Sequence, residues 1–199
     1  LATFKLAAPL KKADVQRLRV KDTVYLSGVI FTARDRAHLR LVEYAQKGRG
    51  LPVNLEGAVI YHSGPLVRRG KKGGWELLAA GPTTSSRLEA LTPPLLEAYG
   101  VRMLVGKGGM GREVAEALKR RGAVYCHFTG GAAVLAAERV QRVEGVKWLD
   151  LGIPEALWKL RVENFGPLTV TIDAHGNSLY EELKLKARVA LEKLSSQLL

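Results

Sequence analysis

Apolar positions along this chain come as short runs first and in helical spacing later. Residues 20–31 set Val24, Leu26, Val29 and Ile30 beside turn residues and predict a strand. Over 32–46 the apolar spacing becomes helical, at Ala37, Leu39, Leu41, Val42 and Tyr44, with Thr32 followed by Asp35 as a capping-box-like start. A polar turn closes it at 47–50. Residues 57–62 and 75–80 are short apolar runs either side of a glycine-rich turn, and read as two strands of one long hairpin. Gly81-Pro82-Thr83-Thr84 then opens a helical stretch over 85–99, disturbed by Pro93 and Pro94.

The second half changes character. A strand at 101–105, a glycine loop at 106–111, a helix at 112–121 and a strand at 123–128 make a βαβ unit, which implies a parallel pair. Thr129-Gly130-Gly131 repeats the device before a helix at 132–140. A strand follows at 168–173. The chain ends in an amphipathic helix at about 179–198 with apolar Leu183, Leu185, Val189, Leu191 and Leu194. One α/β domain over 1–199 with mixed sheets accounts for this order.

Composition narrows the function classes. The 199 residues, 47% hydrophobic and 25% charged, suffice for a packed core. No apolar run approaches the roughly eighteen residues of a membrane span. The start is broken by Lys5, Pro9, Lys11 and Lys12, unlike a secretory leader. Beginning at Leu1, the sequence fits a trimmed chain or one part of a longer polypeptide. The single cysteine, Cys126, lies in an apolar stretch and reads as a small buried hydrophobe. One thiol forms no internal disulfide and is too few for an iron–sulfur cluster, and a reducing cytoplasm is the expected compartment. Four histidines without ligand spacing predict no metal site in this chain.

The charge of +12 admits nucleic acid, a membrane surface, an acidic protein or a small anion. Part of it sits in the turn with Arg68, Arg69, Lys71 and Lys72, and part at Lys119–Arg121, where a helix C-terminus favours cations. Plentiful Arg beside few Asn and Gln hints at a thermophilic source.

Three strand-to-helix turns carry candidate chemistry: Thr32 to His38, Gly81 to Arg87, and Gly106 to Gly111. Helix N-termini and strand carboxyl ends both receive anions, so each turn is a candidate anion site. Thr83 and Arg87, four apart, would share one helix face, although Thr83 or Thr84 acting only as a cap is equally in keeping. Gly106-Lys107-Gly108-Gly109-Met110-Gly111 formally matches a dinucleotide loop, yet the next strand ends His127-Phe128-Thr129-Gly130 without the acid expected about 20 residues on. No Gly-Lys-Ser/Thr follows, which excludes a P-loop. Lys107 aimed at a carboxylate is the alternative. Arg34 and Arg36 flank Asp35, as a surface ion pair would. Two Arg, one Lys and a hydroxyl on converging turns suit a small dicarboxylate.

The same turns resemble the β-subunit, or C-terminal domain, of class I fumarate hydratases and L-tartrate dehydratases. The resemblance runs from about residue 20 to 180. It rests on Ser27-Gly28, Ala33-Arg34-Asp35-Arg36-Ala37-His38, Tyr61-His62-Ser63-Gly64-Pro65, Gly81-Pro82-Thr83-Thr84 through Arg87, Lys107-Gly108-Gly109, Thr129-Gly130-Gly131-Ala132-Ala133 and Ile172-Asp173-Ala174-His175-Gly176-Asn177. It implies a β/β/α three-layer swivelling domain. It also implies a partner α-subunit whose three cysteines hold a [4Fe–4S] cluster with one open iron as Lewis acid, in an α2β2 heterotetramer. By the resemblance, Arg34, Arg87 and Lys107 bind substrate carboxylates and Thr83 is the base. Departures are Ser85-Ser86 where Ala-Gly is usual and Ala33 where Gly is common. The implied reaction is reversible dehydration of a 2-hydroxy dicarboxylate, malate to fumarate foremost and L-tartrate the alternative. A basic nucleic-acid-binding domain is the remaining alternative, and it lacks a motif.

Overall fold

The computed structural model describes residues 1–70 and 73–197. Its frame is a mixed sheet that closes on itself. Strands β1 (Thr3–Ala8), β2 (Thr23–Thr32) and β3 (Val59–Tyr61) run parallel, divided in sequence by helices α1 (Lys12–Gln16) and α2 (Asp35–Gln46). A two-stranded hairpin, β4 (Leu66–Arg69) with β5 (Trp75–Ala79), stands apart. A 3-10 turn (Ser85–Leu91) and α3 (Thr92–Ala98) lead to β6 (Met103–Gly106), α4 (Arg112–Arg121), β7 (Val124–His127) and α5 (Ala133–Glu138). Strands β8 (Val140–Lys147) and β9 (Leu157–Ile172) and helix α6 (Leu179–Gln197) complete it.

Hydrogen bonding runs β2 to β3, β6, β7 and β9 in turn, and β9 returns antiparallel to β2. Alternation sorts the side chains of this ring. Val59 and Tyr61, Met103 and Val105, and Val124 and Cys126 share one core with Trp158, Phe165 and Phe128. Ile60, Leu104 and Tyr125 point the other way, into a core with Leu41 of α2, Leu95 of α3 and Leu118 of α4. Period-two patterning thus yields two cores from one sheet. At Gly28 the backbone takes φ +105°, and a Cβ there would lie 2.4 Å from the Ala8 carbonyl, so only glycine lets β1 approach.

The predicted βαβ unit holds, with β6 and β7 parallel either side of α4. Gly122, at φ 62°, caps α4 behind Lys119, Arg120 and Arg121, which sit in the last turn where the dipole favours them. Pro93 and Pro94 start α3 rather than disturb a helix: they occupy its first turn, where missing N–H groups cost nothing.

Several expectations are corrected. Residues 57–62 and 75–80 do not pair: β3 is buried on both faces, as a parallel strand should be, and sits between β2 and β6. The partner of β5 is β4, so Arg68 and Arg69 belong to a strand, with Arg69 stacked 4.0 Å above the Trp75 ring. Lys71 and Lys72 lie outside the described residues, as does the last residue of the predicted 179–198 helix. Thr32 caps nothing, because it is still in β2 and the cap position of α2 is Arg34. Strands β1 and β8 and the first half of β9 went unread. In β8 the pattern is masked by Glu144, which is ion-paired to Arg142, Lys159 and Arg161. In β9, Gly166-Pro167 mimics a break; the strand continues through a register shift there. Helix α6 forms, but its Leu183, Leu185, Val189, Leu191 and Leu194 remain exposed. No helix among the described residues is long and apolar enough to cross a membrane.

Candidate functional site

The carboxyl ends of β2, β3 and β6 lie side by side, and each delivers a piece of the site. From β2 the chain turns at Ala33 into Arg34 and Asp35. Arg34 Nε lies 2.9 Å from Glu155 Oε1 and 3.3 Å from Asp35 Oδ2. Gly64 makes room for that side chain, since a Cβ would stand 2.8 Å from Arg34 Cδ. Arg87, half-exposed, reaches the same Asp35 Oδ2 at 2.8 Å. The two arginines predicted to act together therefore meet on one carboxylate. Desolvation pushes the Asp35 carboxyl up, but its own backbone N–H, the Arg87 charge and hydrogen bonds from Arg34 and Arg87 outweigh that and hold it below the usual carboxylate value.

Thr83 and Lys107 are joined through the backbone. Lys107 N–H donates to the Thr83 carbonyl at 3.4 Å, and Ser85 N–H donates to the Lys107 carbonyl at 3.0 Å. The Thr83 segment does not continue a sheet strand, as expected from sequence, but lies across the end of β3. Thr83 N–H donates to the His62 carbonyl (2.6 Å), Ser63 Oγ to the Gly81 carbonyl (2.8 Å) and Tyr61 Oη to the Ala80 carbonyl (2.6 Å). Nor do Thr83 and Arg87 share a helix face. The turn at Ser85–Leu91 is 3-10, Thr84 is its cap position without a side-chain cap bond, and Thr83 precedes it. Arg87 reaches Arg34 through Asp35.

Two helix N-termini expected to receive an anion already hold the chain's own carboxylates. Glu155 Oε2 accepts from Arg36 N–H at 2.9 Å in the first turn of α2, and Glu89 Oε1 accepts from Gly111 N–H at 2.7 Å at the start of α4. A Cβ on Gly111 would fall 2.1 Å from Glu89 Oε1, so the last glycine of the loop admits this carboxylate rather than a pyrophosphate. The anion-binding capacity of the site thus rests on side-chain cations.

Behind these residues lies a buried polar layer that sequence reasoning missed. His62 and Ser85 are fully buried, with His62 Nδ1 and Ser85 Oγ 2.9 Å apart. Tyr125 Oη lies 2.9 Å from Ser85 Oγ and 2.9 Å from the Gly108 carbonyl, and Tyr180 Oη donates to that carbonyl at 2.6 Å. His38 meets His62 edge to face at 5.0 Å. Desolvation drives His38 down to about 4; it lowers His62 well below its ordinary value, helped by the His38 charge. Asp173 ties its turn by accepting from His175 N–H (2.9 Å) and Asn177 N–H (3.1 Å), which delivers Tyr180 to the glycine loop. Their signals in sequence were a carboxylate between two arginines and polar residues inside apolar runs.

The residues present do not fit an iron–sulfur cluster held by this chain. Cys126 is fully buried in the core, where desolvation pushes its thiol up, and no three His, Cys, Asp or Glu side chains gather among the described residues.

A family model described as Fumarase C-terminus matches residues 2–183. The L(+)-tartrate dehydratase subunit beta of Escherichia coli (strain K12) is 46% identical over 180 residues, 90% of this chain and 87% of that one. A Methanocaldococcus jannaschii protein named "Putative L(+)-tartrate dehydratase subunit beta" is 44% identical over 186 residues, 93% of this chain and 95% of that one. A Geobacillus stearothermophilus protein named "Putative fumarate hydratase class I" is 44% identical over 190 residues, 96% of this chain but 35% of that one.

Proposed function

Because the chain belongs to the fumarase C-terminus family, we propose that it is the β-subunit of a hydro-lyase acting on a 2-hydroxy dicarboxylate. The observation that carries this is the meeting of Arg34 and Arg87 on Asp35, beside a backbone that joins Thr83 to Lys107. L(+)-tartrate stands first among substrates, since relatives so named match nearly end to end. Malate stands second, because the relative named for fumarate hydratase matches with a third of its length. The closed ring with α2, α3 and α4 packed on one face is in keeping with a β/β/α swivelling domain, and we read residues 1–199 as one such domain.

A subunit named beta implies an alpha partner, and we assign the [4Fe–4S] cluster to that partner, in an α2β2 assembly. When bound there, the cluster would act as a Lewis acid that takes up the departing hydroxide, so the residues of this chain need supply only substrate binding and the proton acceptor. Arg34 and Arg87 offer planar forks to one carboxylate, and Lys107 offers a compact charge to the other. In this reading Thr83 is the group that receives the C–H proton. Removing that proton leaves charge that spreads into the neighbouring carboxylate, where fixed cations stabilise it more than they do the ground state. A hydroxyl is a weak base until its own pKa is lowered, and Lys107, whose amide is bonded to the Thr83 carbonyl, is the cation this reading assigns to that task.

The test is anaerobic mixing of this chain with a cluster-bearing α-subunit and assay of L(+)-tartrate and L-malate side by side. Dehydration of one of them is expected, with neither subunit active alone. A competent α-subunit that gains no activity on either substrate would sink the reading. Thr83→Ala with undiminished kcat would remove Thr83 as base while leaving the clamp.

A further inference from the structure

The polar layer beneath the site has a direction. Tyr125 Oη has one proton and two neighbours at 2.9 Å, Ser85 Oγ and the Gly108 carbonyl oxygen. The carbonyl can only accept, so all contacts are satisfied together only if Tyr125 donates to Gly108. Ser85 then donates to Tyr125, and His62 Nδ1–H donates to Ser85. This order leaves His62 Nε2, a buried atom without a partner, as a bare lone pair. The reverse order would bury an unpaired N–H there and would leave Tyr125 without its bond to Gly108. Orphaned buried N–H groups are the rarer and costlier case.

We propose that Ser85 is a positioning residue that sets Lys107 against Thr83. The inference rests on the functional reading above, and it concerns this chain's own serine at a position where the resemblance makes Ala usual. Ser85 joins the carboxyl ends of β3 and β6. Its amide holds the Lys107 carbonyl at 3.0 Å, and its hydroxyl binds His62, whose own carbonyl holds the Thr83 amide. Through Tyr125 it fixes Gly108, the residue after Lys107, where φ is +74° and the chain turns away. Gly106, the residue before Lys107, has no Cβ because one would stand 1.9 Å from Ser85 Oγ. Lys107 is thus braced on both sides by contacts that converge on one hydroxyl. The side-chain contacts add to the backbone bonds that hold the loop from which Lys107 projects.

The experiment uses Ser85→Ala, Tyr125→Phe and the double variant, each assembled with the α-subunit. We measure kcat, KM and amide exchange of the segment around Lys107 and Gly108. Each single variant is expected to lose about tenfold in kcat/KM, mainly through KM. The double is expected to lose no more than the worse single, because both act through one chain. Faster exchange at Lys107–Gly108 accompanies the loss. Single variants with wild-type kinetics and exchange, or losses that multiply, would overturn the proposal. If the wild-type complex turns over neither substrate, the functional reading fails by itself and exchange still decides the brace: unchanged exchange in both variants refutes it. Should Ser85→Ala not fold, Tyr125→Phe, which removes one oxygen from a packed ring, carries the test alone.

Discussion

Asp35 Oδ2 lies 2.8 Å from the Arg87 guanidinium, an ion pair between the first residue of α2 and a turn fifty-two positions later in the chain. The same oxygen is 3.3 Å from Arg34 Nε. One carboxylate therefore sets the spacing of two forks. Asp35→Asn keeps the shape and removes the charge, so both arginines should lose their common anchor. The expected loss is about tenfold in kcat/KM, or ~1.4 kcal/mol, read by steady-state kinetics of the assembled enzyme. Unchanged kinetics would mean that Glu155 and substrate alone position the arginines.

Lys107→Met tests the other end of the clamp. A hydrogen bond to a charged group contributes about 1.5–3 kcal/mol, so kcat/KM should fall by roughly tenfold to a hundredfold. Lys107→Arg should not restore it, because a planar fork does not replace a compact ammonium in a braced loop. Full activity of Lys107→Arg would show that charge alone matters there.

The legibility of this site in sequence was uneven, for physical reasons. The candidate cations and Thr83 could be named because turns expose them. The cause that unites them could not, because Asp35, Glu155 and Ser85 act across the fold. Glu155 lies 2.9 Å from Arg34 yet more than a hundred residues away, and no period links them. The helical spacing that joined Thr83 to Arg87 failed because a 3-10 turn starts after Thr83. Local patterning carried the βαβ half well, since β6, α4 and β7 meet next to one another in sequence. It carried the closure of the ring poorly, because β9 pairs with β2 from the far end of the chain.

Gly106→Ala offers a rescue test of the buried layer. The new Cβ would meet Ser85 Oγ at 1.9 Å but Ser85 Cβ only at 3.3 Å. Displacing a bonded hydroxyl from a packed core costs about 1–3 kcal/mol, which lowers Tm by several degrees in a chain of this size, at roughly 2–4 °C per kcal/mol. With Ser85→Ala also present the 1.9 Å overlap is gone and only the tight approaches to His62 Nδ1 (3.0 Å) and the Cβ at 85 (3.3 Å) remain, so the double variant should be more stable than additivity predicts. Additive loss in thermal unfolding would mean that the strain lies elsewhere.

His38 and His62 predict how stability falls in acid. Burial lowers His38 from its ordinary 6.5 to about 4, and His62 well below 6.5 by burial and by the charge of His38. Both are neutral when folded at pH 7. As pH falls below 6.5 the unfolded chain binds protons that the folded chain refuses, so folding loses about 1.4 kcal/mol per pH unit for each histidine. The loss continues until the folded rings protonate, near pH 4 for His38, with His62 held down in the same direction. Asp35 adds a smaller loss only below about pH 4, because its folded pKa is depressed and its contribution vanishes as the carboxylate protonates. Urea midpoints between pH 7 and 4 should therefore fall steadily, with His127, also lowered by desolvation, adding to the two rings. His38→Gln should make that slope shallower while leaving the carboxylate part in place. A wild-type midpoint that stays flat down to pH 4.5 would mean that the rings take up protons in the folded state, and then the layer beneath Thr83 is open to water.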